Sequence, residues 1–223
     1  MKTSYSIVMM GASGEVGGEV VKDLITKEHI SMITLLGRRN IQELKNEKVE
    51  QNIIDVTLPN TYEPFISQQD VAICTLGVGQ PSKVSKEDFI KIDKTAVLDF
   101  ARTCKEKGVS HFQLLASVGI DENASSFYLR SKGELVKALE AMEFNRLSIF
   151  QPSMILTSKN RYGIAQGIIL KLWPLLKPLF FGPMRKYRGI RSSQLGKAMS
   201  RNATTINQGA EYLVWDDFIK LTK

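Results

Sequence analysis

Gly11-Ala12-Ser13-Gly14-Glu15-Val16-Gly17 is the stretch on which the reading of this chain turns. It follows an apolar run, Tyr5 to Met10. It opens an amphipathic stretch, Glu15–Lys27, with Val16, Val20, Val21 and Leu24 at helical spacing. Glycine is needed where the backbone turns sharply, where a pyrophosphate must approach the main chain and where helix and strand pack closely. A helix that starts at such a turn aims its unpaired N–H groups at phosphate. Strand, Gly-x-x-Gly-x-x-Gly and helix in this order predict a dinucleotide-binding βα unit, with all seven loop residues as candidate cofactor contacts.

Outward from that unit the pattern repeats. Met32–Leu36, Glu50–Ile54, Val71–Thr75, Phe112–Ala116 and Leu147–Phe150 are short apolar, strand-like runs. Ser85 with Asp88 three residues on marks a helix N-cap, and the apolar period then runs to about Lys107, where Gly108 stops it. Ser126–Met142 is a further helix. The alternation predicts an α/β fold: a doubly wound parallel sheet of the Rossmann type, with helices on both faces. Residues 157–191 are interrupted by Gly and Pro and rich in aromatics, and are expected to form a lid or substrate-side lobe. Beyond them, Ser192 to about Ile206 is expected to be helical, Glu211–Val214 a strand and Asp216–Leu221 a helical turn.

The chain has 223 residues, 43% hydrophobic and 24% charged, with no linker-like stretch or fixed repeat, so residues 1–223 are expected to be one domain. Two cysteines, Cys74 and Cys104, are too few and too far apart for a disulfide framework or metal site, which suits a reducing cytoplasm. No metal is expected, because His29 and His111 are isolated. The apolar stretch Ile164 to Phe181 is broken by Lys171, Pro174, Lys177 and Pro178, so no transmembrane segment is expected. Net charge is +7 and unevenly spread. Across 144–215, eleven Lys and Arg stand against one acid, Glu211, leaving 19 positive and 22 negative charges elsewhere. That basic third is either an attractive surface for a protein partner or anionic surface, or a solvated face with phosphate-facing residues. Trp173, Phe180 and Phe181 among its lysines either touch such a surface or line a pocket. No nucleic-acid reading motif accompanies the charge, so nucleic acid is not expected.

Several residues carry chemistry beyond the glycine loop. The second strand ends in Arg38-Arg39, where an NAD-preferring site usually places an acid; two guanidiniums suit a 2′-phosphate, so NADP(H) is expected over NAD(H). Asp55, with Val56 beside it, is placed to meet the adenine edge, and Thr75, Leu76 and Gly77 to line the next part of the cofactor. Tyr128 and Lys132 are one helical turn apart and share a face. A nearby ammonium favours the ionised form of a phenol whose ordinary pKa is about 10, which suits proton transfer. Ser117, at a strand end, is placed to hydrogen-bond a substrate carbonyl.

Taken together, Gly11-Ala12-Ser13-Gly14-Glu15, Leu36-Gly37-Arg38-Arg39, Cys74-Thr75-Leu76-Gly77, His111-Phe112-Gln113-Leu114-Leu115 and Tyr128-Leu129-Arg130-Ser131-Lys132-Gly133-Glu134 resemble the short-chain dehydrogenase/reductase superfamily. Within it they are most similar to the atypical HTATIP2-like (TIP30) subgroup, from about residue 5 to 157. The resemblance implies an NADPH-binding fold with Ser117, Tyr128 and Lys132 as the catalytic serine, tyrosine and lysine, the lysine also holding the nicotinamide ribose. It places Pro152 at the cofactor, although Gln151 stands where the family commonly has Arg or His. The family's catalytic asparagine has no assigned counterpart. The expected activity is an NADPH-dependent reduction of a small carbonyl substrate; the alternative is an NADPH-binding regulator or redox sensor that acts through protein partners. Monomer and homodimer both remain open.

Overall fold

The computed structural model describes residues 4–80, 83–157 and 180–223. Strands β1 (Tyr5–Met10), β2 (Ile30–Gly37), β3 (Val49–Ile53), β4 (Val71–Cys74), β5 (His111–Leu115), β6 (Arg146–Phe150) and β9 (Gly209–Leu213) form one sheet. Its order is β3-β2-β1-β4-β5-β6-β9, and every pairing is parallel. The chain builds outward from β1 in one direction, then returns to lay β4 against β1 on the other side. The crevice at the carboxyl ends of β1 and β4 is therefore the switch point where open parallel sheets bind ligands. The expected doubly wound parallel fold is what forms.

The apolar runs give buried strands because both faces of the sheet are covered. In β1, Ile7 and Met9 face one cluster and Val8 and Met10 the other, all four fully buried. One cluster lies under helices α3 (Ala96–Glu106) and α4 (Phe127–Glu140) and includes Phe100, Cys104, Leu135 and Leu139. The other lies under α1 (Glu15–Leu24), α5 (Ser192–Ala203) and α6 (Trp215–Thr222), with Val20, Leu24, Leu195, Met199 and Phe218.

The Ser85 cap forms as the sequence indicates: the Ser85 hydroxyl accepts from the Asp88 amide at 3.0 Å. The helix it opens is not uniform. A short α2 (Lys86–Ile90) passes through a π-helical turn, Lys91–Thr95, before α3 begins. Gly108 closes the run at φ +85°. A two-residue parallel pair, β7 (Ile155–Leu156) with β8 (Ile190–Arg191), lies beyond β6 and has no periodic signal to announce it. Most of the 157–191 lobe, 158–179, lies outside the described residues, as does Trp173.

Candidate functional site

The glycine loop is held by main-chain contacts that only glycine permits. Gly11 has φ +99°, and a Cβ there would sit 2.5 Å from the Thr75 carbonyl carbon. A Cβ on Gly17 would strike the Gly11 carbonyl oxygen and lie 2.7 Å from Thr75 Oγ1. The Thr75 hydroxyl donates to the Gly11 carbonyl at 3.0 Å, tying the end of β4 to the end of β1. Gly14 is the N-cap of α1 and offers no side chain to the first-turn amides. Those amides have no partner inside the helix and point toward the crevice.

A cleft of about 510 Å³ opens there. Its wall contains Gly11, Ala12, Ser13, Gly14, Glu15, Val16 and Gly17, then Arg38 and Arg39, Val56, and Thr75, Leu76 and Gly77. Four of the residues assigned to the cofactor from sequence, Asp55, Tyr128, Lys132 and Pro152, lie outside this wall. Asp55 borders a neighbouring hollow of about 360 Å³ that shares Arg38 and Val56 with the cleft. Its carboxylate accepts from the Thr57 amide and hydroxyl, each at 2.8 Å, and these bonds hold it below the usual carboxylate range. Pro152 is buried behind the wall, where its carbonyl accepts from the Val118 amide at 3.0 Å. Asn52, Gly79, Leu115, Ser153 and Met154 line the cleft and were missed. They follow from strand register rather than from any motif.

Arg38 and Arg39 are exposed, and among the described residues neither guanidinium forms a hydrogen bond or ion pair. Arg39 also borders a second hollow of about 490 Å³, beside the start of α1. Both side chains are thus available to an anion at the edge of the cleft. A dinucleotide fits this donor set: the amides of a helix N-terminus, a glycine turn and two exposed cations.

Ser117, Tyr128 and Lys132 do not appear in the cleft wall. Ser117 sits in the loop after β5; among the described residues its hydroxyl makes one long contact, 3.4 Å, to the Val118 carbonyl. That loop is pinned to α4 at Gly133, where a Cβ would strike the backbone of Asp121 and Glu122. The Tyr128 ring packs 5.6 Å from the Phe89 ring of α2, half-buried. No hydrogen bond joins Tyr128 to Lys132 or Ser117 among the described residues. Lys132 turns instead to Asp93 in the π-helical turn: Nζ lies 2.9 Å from Asp93 Oδ1, with the two side chains 5% and 4% exposed. A second pair, Lys94 to Glu134 at 2.6 Å, fixes the same turn on α4. Sequence reasoning missed Asp93 because an acid in a helix ordinarily marks a solvated face. Cys74 is fully buried, and burial pushes its thiol up to about 11, which favours the protonated form.

Among the described residues, several cations of the basic 144–215 region are committed to structure. Arg146 pairs with Glu211 at 2.7 Å and is 5% exposed. Arg185 pairs with Asp216 at 2.5 Å, and Arg188 lies over the Trp215 ring at 4.9 Å. Lys186 and Arg191 are exposed. Among the described residues no helix is long and apolar enough to cross a membrane.

A doubly wound parallel sheet with a glycine-turned crevice at its switch point defines a dinucleotide-binding protein of the Rossmann class. The profile of the NAD(P)H-binding family matches residues 11–151, and the chain belongs to that family. The rat protein HTATIP2 is 35% identical over 156 residues, 69% of this chain and 64% of its own length. The FMP52 protein of Lodderomyces elongisporus, named mitochondrial, is 29% identical over 204 residues, 87% of this chain and 84% of its own. This chain thus spans just under two thirds of the rat protein. Among solved structures, MoeE5 in complex with UDP-glucuronic acid and NAD superposes with a TM-score of 0.72 at 14% identity, covering 93% of this chain and 75% of that one. The Bordetella bronchiseptica enzyme WbmH in complex with NAD+ gives 0.69 at 14%, covering 94% and 75%. The chain is thus a member of the NAD(P)H-binding family that is similar to HTATIP2 and FMP52.

Proposed function

We propose that the protein binds NADP(H) in preference to NAD(H) and reduces a small carbonyl compound. The observation that carries this reading is the pair Arg38 and Arg39: two exposed guanidiniums at the end of β2, without an ion pair among the described residues, bordering the same cleft as the N-terminus of α1. No acid occupies that strand end to meet a 2′-hydroxyl. A nicotinamide held in the cleft would supply a hydride to the carbonyl carbon. Tyr128 then delivers the proton from its hydroxyl to the carbonyl oxygen, Lys132 holds the nicotinamide ribose, and Ser117 orients the carbonyl. Residues 1–223 act as one unit, with 157–191 shaping the substrate side. Two buried, free thiols suit a reducing compartment such as the cytoplasm; the fungal relatives carry a mitochondrial name.

Calorimetric titration with NADPH and NADH tests the cofactor assignment. NADPH should bind at least about tenfold more tightly, and Arg38→Ala/Arg39→Ala should remove that advantage, the size expected of charge-assisted hydrogen bonds. Failure of both nucleotides to bind would sink the reading. With a turned-over carbonyl in hand, Tyr128→Phe should abolish reduction while leaving NADPH affinity intact; unchanged turnover removes Tyr128 from the mechanism.

One observation favours the second reading, an NADPH-binding regulator or redox sensor with little turnover. Lys132 is engaged by Asp93, and Tyr128 makes no bond to Lys132 or Ser117. On this reading, charge reversal at Lys186 and Arg191 abolishes capture of a protein partner without altering NADPH affinity. A partner that still binds the reversed variant rules that surface out.

A further inference from the structure

Gln51, in the middle of β3, belongs to no motif, yet both ends of its side-chain amide are engaged. Oε1 accepts from the Ile41 amide at 2.7 Å, and Nε2 donates to the Ile41 carbonyl at 3.0 Å. One side chain thus closes on both polar main-chain groups of a single residue. The pairing also fixes which way the amide faces, because the reverse would set donor against donor and oxygen against oxygen. Ile41 stands at an informative place. It follows the three exposed residues Arg38-Arg39-Asn40, and the single helical turn Gln42–Leu44 begins directly after it. At the other end of those three residues, Gly37 is paired with Ile53 of β3, and the Gly37 carbonyl accepts from the Ile54 amide at 2.9 Å. The stretch that carries the two arginines is therefore tied to the β3 segment at both ends. Gln51 and Ile41 line the same cleft as Arg38 and Arg39.

We infer that Gln51 is a positioning residue for 2′-phosphate recognition: its amide fixes the far end of the Arg38–Asn40 loop, so that the two guanidiniums meet the phosphate from a preset backbone. This rests on the proposed preference for NADP(H). An arginine on an unfixed loop loses main-chain as well as side-chain freedom when it closes on an anion, and that loss is subtracted from the affinity. The side chains of Arg38 and Arg39 form no hydrogen bond or ion pair among the described residues, so any ordering ahead of the ligand comes from the main chain. Leu44, which is buried, anchors the helical turn beyond, and its amide donates to the Ile41 carbonyl at 3.1 Å. The Ile41 amide is left to Gln51. NAD(H) offers a neutral hydroxyl where NADP(H) offers a phosphate and draws far less on a guanidinium, so the clamp favours one nucleotide over the other.

The test titrates NADPH and NADH against the full chain and against Gln51→Met, which keeps the length of the side chain and removes both bonds. NADPH should weaken by about fivefold, the scale of a lost pair of neutral hydrogen bonds, and NADH by less than about twofold. In an Arg38→Ala/Arg39→Ala background the Gln51→Met effect on NADPH should vanish. Equal weakening of both nucleotides would mean that Gln51 shapes the cleft as a whole and would overturn the inference, as would an undiminished effect in the background without the arginines. If the unaltered protein holds NADPH no more tightly than NADH, the cofactor preference fails and the inference with it. If it prefers NADPH and Gln51→Met keeps that preference, only the inference fails. Should Gln51→Met not fold, hydrogen exchange at the Ile41 amide of the unaltered protein decides. At matched occupancy 2′,5′-ADP should slow it more than 5′-AMP, which lacks the 2′-phosphate, and equal slowing by the two ligands would overturn the clamp.

Discussion

His111 shows how a residue that invites a functional reading is explained by what surrounds it. It is buried at the start of β5, and its Nε2 lies 2.8 Å from the Ser148 hydroxyl. That hydroxyl donates to Glu211 at 2.5 Å, which leaves the ring Nε2–H as the donor to Ser148. Burial, helped by the Arg146 charge, pushes the imidazole down to about 3. The sign of the consequence follows. Between pH 6.5 and about 3 the unfolded chain takes up a proton that the folded chain refuses, so stability is full above pH 6.5 and falls as pH drops through that window. The slope is at most about 1.4 kcal/mol per pH unit. Urea midpoints measured from pH 7 to pH 4 should therefore decline, and His111→Gln should decline less steeply over the same range. Parallel curves for the two proteins would show that the imidazole is already charged in the folded state. Of the candidate site residues, those whose role is carried by backbone shape were legible in the sequence. Gly11, Gly14 and Gly17 form the turn their spacing implies, and Arg38 and Arg39 emerge unpaired at a strand end. Asp93 was not legible, because its partner comes from a segment far along the chain: Lys132 stands 39 residues from it; Asp55 is instead turned to its near neighbour Thr57.

Elements were legible wherever an apolar period fixed them, and their ends and internal breaks were not. Helix α1 was expected to reach Lys27 and stops at Leu24; the π-helical turn inside the Ser85 helix has no composition that marks it. Nor did spacing reveal how closely α5 lies on α1. Gly196 of α5 rests on the backbone of Glu19 and Val20, where a Cβ would be 2.8 Å from the Glu19 carbonyl carbon and 2.9 Å from the Val20 nitrogen. Backbone atoms do not yield as the tip of a flexible side chain does, so the helices would have to separate. Gly196→Ala should destabilise the protein by about 1–3 kcal/mol, the usual penalty of overpacking, despite alanine's better helix propensity. Gly18, in the interior of α1, is the control. A Cβ there meets only the Ala12 carbonyl oxygen at 3.5 Å, an ordinary contact. Gly18→Ala should raise stability by about 0.5–1 kcal/mol. Thermal unfolding of the two variants beside the parent separates close approach from propensity; two shifts of the same sign would mean the α1–α5 contact is not tight.

Across the whole molecule the two ends of the parallel sheet are specialised. At the carboxyl ends the backbone is left open and cationic for a ligand. At the amino ends of β5, β6 and β9 a buried polar network is closed on itself. Arg146 donates to Glu211 at 2.7 and 2.9 Å, to the Asn202 carbonyl at 3.1 Å, and to the Thr205 carbonyl and hydroxyl at 2.6 and 2.9 Å. Glu211 accepts from Ser148 and Asn202 as well; burial opposes its charge, but these bonds and Arg146 outweigh it, and its carboxyl stays below the ordinary range. Such a network joins β6 to the edge strand β9 and to the end of α5, and so holds the last strand on the sheet. Removing one partner strands the rest. Arg146→Met should therefore cost about 3–5 kcal/mol, whereas Arg146→Met/Glu211→Met should recover part of that loss by leaving no unpaired charge. NADPH affinity of either variant, measured where it is still folded, should match the parent. A five-residue parallel strand places about 16 Å between the network and the crevice. Loss of affinity in step with stability would mean the two ends are coupled through the sheet; a stability loss below about 1 kcal/mol in Arg146→Met would mean that the apolar clusters alone hold β9 in place.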